Sequence, residues 1–168
     1  SGVSIPYLPR TEVQNVWKNL ELALRFGDSF GWEENISPEF SYEPDQEAAS
    51  LFPGLFDDWN YEKEKAFINN FFDSGVSIQA QMRDDDFEVP DDSGASEVEW
   101  IGVIYFLEVT TTSDNSQTKY RASARITFRL EANFWYVYEW VDQQGESDPG
   151  NPEQLLSSMG VLRGNFGS

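Results

Sequence analysis

The chain has 168 residues, with 30 acidic and 11 basic side chains and a formal net charge of −19. That length suits one domain with a substantial core, and the 39% of hydrophobic residues argues against disorder. The charge argues against nucleic acid and anionic membrane surfaces as partners, because no basic stripe can replace phosphate counterions. Cysteine and histidine are absent, which excludes disulfides, thiolate nucleophiles and a Ser-His-Asp triad.

Helices dominate the prediction for the first half of the chain. After an extended lead-in over residues 1–10, apolar side chains recur at helical spacing over residues 12–26. Residues 11–14 (TEVQ) have the form of a capping box, and Gly27 is a natural helix stop. Further predictions are a short helix within 28–37, a Pro-flanked edge strand over 40–43, a helical turn over 46–51 and a firmer helix over 59–73.

Strands dominate the second half. Residues 76–82 and 120–130 alternate apolar with polar side chains, which is the period of a half-buried strand. Residues 100–110 and 134–142 are rich in the aromatic and β-branched residues that favour a sheet. The polar tail 143–168 is predicted to pack on the domain and to form one or two helical turns over 152–159. Helices followed by an antiparallel meander indicate a single α+β domain over residues 1–168.

The order of the elements and local sequences in three places resemble the nuclear transport factor 2-like superfamily. Residues 16–23 (VWKNLELA) are similar to a first helix of the form x-x-N-L-x-x-A, and residues 39–42 (EFSY) to a first strand D-F-x-F. Residues 135–142 (WYVYEWVD) resemble a last strand W-x-I-x-x-W-x-D. Residues 160–163 (GVLR) stand where relatives close with W-G-x-L-K, although Met159 replaces the tryptophan.

The resemblance implies a cone in which N-terminal helices pack on a strongly curved antiparallel sheet. It is closest to exported bacterial proteins of this fold, many of them lipoproteins of unknown role, and so implies a periplasmic, cell-envelope or secreted location. Enzymes on this fold use a His-Asp pair, or Asp and Tyr side chains, inside the cone. The histidine version is excluded here, and no cofactor is implied.

Carboxylates are the only plentiful acid–base groups, and Asp142 lies nearest the expected mouth of the cone. A carboxyl group in apolar surroundings has a raised pKa and can move a proton, with a tyrosine such as Tyr138 as its partner. Alternatively, Asp142 caps the strand end while Glu139 pairs with Arg125 or Arg129 on the neighbouring strand. The first interpretation predicts an isomerase or a dehydratase, and the second predicts a structural role.

Large aromatic side chains suggest a pocket for a flat apolar ligand, since concave apolar sites are where small molecules bind. The alternative is an ordinary aromatic core. The candidate lining residues are Trp17, Trp59, Trp100, Tyr105, Tyr138 and Trp140.

Three arginines lie on one face of a predicted strand, namely Arg121, Arg125 and Arg129. They could bind a carboxylate or a phosphate bidentately. Alternatively they pair with Glu108 and Glu139, or lie in a sheet-to-sheet contact between two copies of the chain. Relatives commonly dimerise through this face, so the resemblance implies a homodimer.

The acidic segment 84–96 carries the oxygen ligands that calcium prefers but lacks the spacing of a calcium loop, so no metal site is predicted. Such acidity suits either a high-salt habitat or the solubility of an exported domain. The sequence therefore favours an exported, non-catalytic domain that binds a small apolar molecule or a protein partner. An isomerase or dehydratase is the alternative, and a structural protein with a filled core is the third hypothesis.

Overall fold

Helices and strands follow the periodicities of the sequence closely in the computed structural model, which describes residues 4–167. In chain order the elements are α1 (Val13–Phe26), α2 (Ser29–Glu34), β1 (Ile36–Glu43), α3 (Gln46–Leu51), α4 (Tyr61–Asp73), β2 (Val76–Gln81), β3 (Glu97–Thr111), β4 (Gln117–Glu131), β5 (Phe134–Gly145), β6 (Ser147–Asp148), β7 (Asn151–Leu155) and α5 (Met159–Phe166). None of these helices is both long and apolar enough to cross a bilayer.

The first helix, α1, buries the apolar face predicted for residues 12–26. It begins after Glu12, whose side chain makes no capping hydrogen bond, so the predicted capping box at residues 11–14 does not form. It ends at Gly27, whose φ of 63° lies in the left-handed region that glycine adopts without steric cost. The stop predicted at this glycine is confirmed.

Five strands form one sheet in the order β1-β5-β4-β3-β2. β2 to β5 are antiparallel neighbours, whereas β1 runs parallel to β5 at one edge. The predicted α+β class is confirmed, with the difference that the sheet is mixed. The reason is the connection: α3 and α4 follow β1, so no tight turn forces an antiparallel partner on that strand.

Two local features give the long strands their twist. Ala132 and Asn133 join β4 to β5 with φ values of 49° and 75°, which is the backbone of a tight hairpin turn. Gly102 in β3 has a φ of 79°, and the pairing with β4 shifts register between Ile101 and Val103. Such a bulge bends its strand and increases the local twist. The helices cover one face of the sheet. We call the opposite face the outer face.

The helix predicted over residues 152–159 is wrong. This segment forms the strand β7, and helix α5 begins only at Met159. The chain is extended here because its backbone finds partners on both sides: Leu156 N donates to Glu146 O at 2.9 Å, and Arg121 N donates to Ser157 O at 3.0 Å. The tail thus forms a separate two-stranded sheet with β6, and a single bridge from Ser157 to Tyr120 joins it to β4 before it returns to the core as α5.

Candidate functional site

Asp142 lies on the inner face of β5 and is only 2% exposed. Its carboxylate accepts hydrogen bonds from the hydroxyl of Tyr42 in β1 and, at 2.8 Å, from the hydroxyl of Tyr105 in β3. The indole N–H of Trp140, two residues earlier on the same face of β5, donates a third bond at 2.9 Å. Both carboxylate oxygens are therefore occupied by donors from three strands.

A second buried carboxylate, Glu64 in α4, pairs with Arg163 in α5. The Nε and Nη2 atoms of Arg163 each donate to one carboxylate oxygen at 2.9 Å. The indoles of Trp32 and Trp59 donate to the same two oxygens at 3.1 and 2.8 Å. Four donors thus hold one carboxylate in a bidentate pair that is 0% and 1% exposed.

The guanidinium of Arg163 connects the two carboxylates. Its central carbon lies 4.0 Å from the ring centroid of Tyr42 and 4.3 Å from that of Trp140, and both of these side chains donate to Asp142. Its Nη1 atom is buried and has no hydrogen-bond partner among the described residues. We use the term polar core for the following side chains: Tyr42, Glu64, Tyr105, Asp142 and Arg163.

Helix α5 closes over the polar core. The hydroxyl of Ser158 accepts from Gly160 N at 3.0 Å as the helix N-cap and donates to the carboxylate of Asp45 at 2.7 Å. Met159 N donates to the hydroxyl of Tyr105 at 2.8 Å. A Cβ atom on Gly160 would lie 2.6 Å from the hydroxyl of Tyr42, so this approach requires glycine. The tail therefore supplies part of the interior.

Burial governs the ionisation of the polar core. It raises the pKa of Asp142, and the nearby Arg163 and the three hydrogen bonds offset this only in part. It also raises the pKa of Tyr42 and of Tyr105. Burial opposes the charge of Arg163, but the attraction and hydrogen bonds of Glu64 outweigh it, so the pKa of Arg163 is raised. Because Arg163 is already neutralised by Glu64, Asp142 has no counter-charge of its own.

The pH dependence of stability tests the raised pKa of Asp142. A carboxyl group with a higher pKa in the folded state binds more protons when folded, so stability is lost as the pH rises from the unfolded value through the folded one. Relative to Asp142→Asn, the native chain should lose about 1.4 kcal/mol of unfolding free energy for each pH unit between the two values. Urea denaturation from acidic to neutral pH measures this, and parallel profiles would contradict it.

Aromatic rings fill the space between the helices and the sheet. The ring centroids of Trp17 and Trp140 are 5.1 Å apart, those of Trp100 and Phe128 are 4.8 Å apart, and those of Trp140 and Tyr105 are 5.6 Å apart. Tilted and edge-to-face rings at such distances are packed against each other. In this structure the candidate ligand pocket is an aromatic core.

The structure divides the predicted aromatic site residues between the core and the outer face of the sheet. Trp17, Trp100, Tyr105 and Trp140 lie together in the core, and Trp59 joins them beside Glu64. Tyr138 lies on the opposite face of the sheet, where its ring centroid is 3.5 Å from the guanidinium carbon of Arg129. Tyr138 therefore cannot act as the proton partner of Asp142, and Tyr42 and Tyr105 hold that position.

The three arginines lie on the outer face of β4 and are engaged within the chain. Arg125 pairs with Glu99 at 2.9 Å and with Glu139 at 3.3 Å. Arg129 pairs with Glu39 at 3.3 Å and with Glu97 at 3.6 Å. On the same face, Arg121 contacts the carboxylate of Asp84 at 3.5 Å and donates to Ser147 O at 2.9 Å. Glu108 forms no ion pair within residues 4–167, contrary to one of the proposed pairings.

Within residues 4–167, no three acidic side chains lie close enough together to hold a metal ion.

No protein-family model and no curated protein matches this chain, but solved structures do. A conserved protein from Planctomyces limnophilus DSM 3776 is 15% identical with a TM-score of 0.58, over 78% of this chain and 91% of that one. A protein of unknown function with a cystatin-like fold from Nostoc punctiforme PCC 73102 is 12% identical with a TM-score of 0.52, over 85% and 93%.

A ketosteroid isomerase-like protein from Erwinia carotovora atroseptica SCRI1043 is 12% identical with a TM-score of 0.54, over 78% of this chain and 92% of that one. The chain has the nuclear transport factor 2-like fold. The fold predicted from the resemblance is thereby confirmed. Since proteins with this fold include both isomerase-like proteins and proteins of unknown function, the fold carries no activity by itself.

Three members of the polar core in this nuclear transport factor 2-like fold, Tyr42, Glu64 and Arg163, were not predicted from the sequence as site residues. Glu64 occupies the buried stripe of α4, one turn before Phe67 and Ile68. A charged residue within an apolar stripe was the available signal, because such a residue must find a buried partner. Arg163 carried a similar signal, since it follows Met159 by four positions in α5. Neither pattern could indicate that the two residues meet.

Proposed function

We propose that this chain is a non-catalytic domain that binds a protein partner through the outer face of its sheet, and that this partner is a second copy of the chain. The observation that carries the proposal is the composition of this face, which is less acidic than the rest of a molecule of net charge −19 and is partly apolar. The filled interior supports it as well, because a packed core leaves the surface as the place where the domain acts.

The charge of the outer face differs from that of the rest of the molecule. Strands β1 to β5 hold four of the 11 basic residues but only eight of the 30 acidic residues. One of those eight, Asp142, points into the core. Because most of the acidic residues lie elsewhere, two copies would repel each other least if they met through this face.

Apolar side chains lie in the middle of the outer face. Ile101 is 63% exposed, and Ile104, Phe106 and Val141 are half-buried. The strand register places Ile101 and Val141 on either side of Arg125. The open side of an antiparallel sheet is ordinarily polar, whereas an exposed apolar patch rimmed by polar groups marks an interaction site.

The charged rim of the patch suits a contact with two-fold symmetry. In such a contact the same surface meets itself, so a residue and its counterpart exchange partners. Arg125 with Glu99 and Glu139 carries both signs within one cluster. Each arginine can therefore gain a glutamate of the second copy without leaving its own unpaired.

The oligomeric state tests this proposal. We expect the native chain to sediment as a dimer and Ile101→Arg to sediment as a monomer, because the substitution puts a charge in the centre of the apolar patch. Phe30→Arg is the matched control, since Phe30 is 64% exposed on α2, a helix whose Trp32 packs against Trp140 on the inner face of the sheet. Sedimentation velocity over a concentration series measures both. A monomeric native chain, or equal behaviour of the two variants, would refute the proposal.

The salt dependence of dimerisation distinguishes a dimer held by the apolar patch from one held by ion pairs. Two molecules of net charge −19 repel each other over a distance that shrinks as salt is added. A dimer held by apolar contacts should therefore tighten with rising sodium chloride. Weakening over the same series would indicate that the ion pairs, and not the apolar patch, hold the contact.

A proton-transfer enzyme, either an isomerase or a dehydratase, is the second candidate function. It is favoured by the raised pKa of Asp142 and by the two tyrosine hydroxyls bonded to it, since a protonated carboxyl beside a tyrosine can stabilise an oxyanion. The substrate would have to displace α5. Deuterium exchange into an enolisable ketone by the native chain, but not by Asp142→Asn, would support this candidate.

Binding of a small apolar molecule within the cone would likewise require the packed interior to open. The rings of Trp17, Trp100 and Trp140 occupy the position that such a ligand would take. Native mass spectrometry of the purified chain tests it, because a bound molecule adds a discrete mass. Export of the domain stays a prediction from the sequence.

A further inference from the structure

A cavity of about 330 Å³ lies between α1 and the end of β2, and no residue of the polar core lines it. That volume is at the lower end of the range for small-molecule sites. Three of the 11 basic side chains of this acidic chain line the cavity, together with two carboxylates. We call it the basic recess, and its charged residues are Lys18, Glu21, Arg25, Arg83 and Asp85.

Helical spacing brings the charged residues of α1 to the recess. Lys18, Glu21 and Arg25 follow one another at intervals of three and four positions, so their side chains lie in one stripe along the helix. This stripe faces β2, because the Nε atom of Arg25 donates a hydrogen bond to Ala80 O at 3.1 Å. The helix therefore holds its charges at a defined place beside the strand.

Glu21 fixes the positions of two of the cations. Its side chain is only 8% exposed, and its Oε1 atom accepts a hydrogen bond from Met82 N at 2.9 Å. Its Oε2 atom contacts the Nζ atom of Lys18 and, at 3.5 Å, the Nη2 atom of Arg25. Because one carboxylate carries a single negative charge, the two cations that share its oxygen leave a surplus of positive charge.

Arg83 adds a third positive charge. It directly follows Met82, whose backbone binds Glu21, and its side chain is exposed. Its guanidinium forms no ion pair within residues 4–167, and the same holds for the carboxylate of Asp85. Three positive and two negative charges line the recess, so one positive charge remains uncompensated.

We propose that the basic recess binds the oxyanion group, a carboxylate or a phosphate, of a small molecule. A guanidinium presents paired N–H donors that match the oxygens of such a group, and the ammonium of Lys18 adds a point charge. Arg25 belongs to α1 and Arg83 to the segment after β2, so two separate elements supply donors to one anion.

The donors can be reached without any change of the fold. The side chains of Lys18 and Arg25 are each 47% exposed. The net charge of −19 repels an anion at long range, but at physiological ionic strength the Debye length is about 8 Å. Within the recess the nearest charges therefore outweigh the distant ones.

A structural role explains part of this arrangement. The bonds from Glu21 to Met82 and from Arg25 to Ala80 attach α1 to the end of β2. Arg83 takes no part in these bonds, and on this interpretation it only offsets the acidic residues that follow it, Asp84–Asp86. That interpretation predicts no saturable binding of an anion.

Inorganic phosphate and acetate are the probes that test the proposal. We expect at least one of them to shift the Nε–H resonance of Arg25 in NMR spectra in a saturable way, beyond the effect of sodium chloride at the same ionic strength. The anion that binds more tightly identifies the oxyanion group. No saturable shift with either anion, or an equal shift with chloride, would overturn the proposal.

Replacing Arg83 with glutamine should weaken the binding about tenfold, since hydrogen bonds from a charged donor are lost. Lys63→Gln is the matched control: it removes the same charge, and Lys63 also forms no ion pair within residues 4–167 and lies in α4, outside the recess. If Lys63→Gln weakens the binding as much, the effect reflects net charge alone and the proposal fails. Thermal unfolding shows whether each variant is folded before its affinity is compared.

Discussion

Replacing Glu64 with glutamine is expected to lower the free energy of unfolding by about 3–5 kcal/mol, because it leaves the charge of Arg163 buried without a counter-ion. Four donors, two of them from Arg163, point at the two oxygens of Glu64. A glutamine offers one acceptor oxygen and turns an N–H₂ group toward the other donors, so it cannot satisfy them all. Urea denaturation monitored by tryptophan fluorescence measures the change.

Two comparisons separate this effect from a general loss of charge. Glu97→Gln breaks the exposed pair with Arg129 at 3.6 Å and should cost about 0–1 kcal/mol. Glu64→Gln combined with Arg163→Met removes both charges and should be less destabilised than the sum of the single variants, because the interaction is shared. A loss below that of Glu97→Gln would show that the buried pair contributes nothing.

Replacing Trp140 with alanine should cost about 3–5 kcal/mol, the range for removing a large buried aromatic side chain. Trp140 is fully buried, and its ring packs against those of Trp17 and Tyr105. It also donates to Asp142, so its removal leaves both a cavity and a carboxylate with one donor fewer. A decrease in melting temperature of about 6–20 °C would correspond to this loss in a domain of this size.

Phe30→Ala is the control for this substitution, since Phe30 is 64% exposed and its removal should change stability by less than about 0.5 kcal/mol. Adding indole should raise the melting temperature of Trp140→Ala but not that of the native chain, because a ligand that fills a cavity stabilises the folded state. Indole binding to the native chain would mean that the interior already admits a ligand, contrary to the packed core.

Many of the elements could be predicted from the sequence because their signals are local. In β4 the alternation of Ala122, Ala124 and Ile126 with polar residues matches the buried and outer faces of the strand, since successive side chains point to opposite sides. Gly27 ends α1 for an equally local reason. Local signals failed over residues 152–159, where a helix was predicted. The segment is extended because its backbone bonds to β6 and β4, and no pattern within the segment indicates those partners.

The candidate site could be predicted only in part. Asp142 was predicted near the mouth of the cone, either as a carboxyl group with a raised pKa or as a cap of the strand end. The structure buries it in the core, where burial raises its pKa. Its partner was predicted to be a tyrosine such as Tyr138, which lies on the other face of the sheet over Arg129. Strict alternation would place Tyr138 on the same face as Asp142, but the bulge between β4 and β5 beside Tyr138 breaks that alternation.

By itself, the sequence determined the fold class, the order of helices and strands as far as β5 and the absence of histidine and thiol chemistry, since these depend on composition and on neighbouring residues. Only the tertiary structure decided which charges meet in the core. Tyr42 and Asp142 are 100 positions apart, and Glu64 and Arg163 are 99 apart. Their contacts follow from the parallel pairing of β1 with β5 and from the return of α5, which depend on how whole elements pack and leave no trace in local spacing.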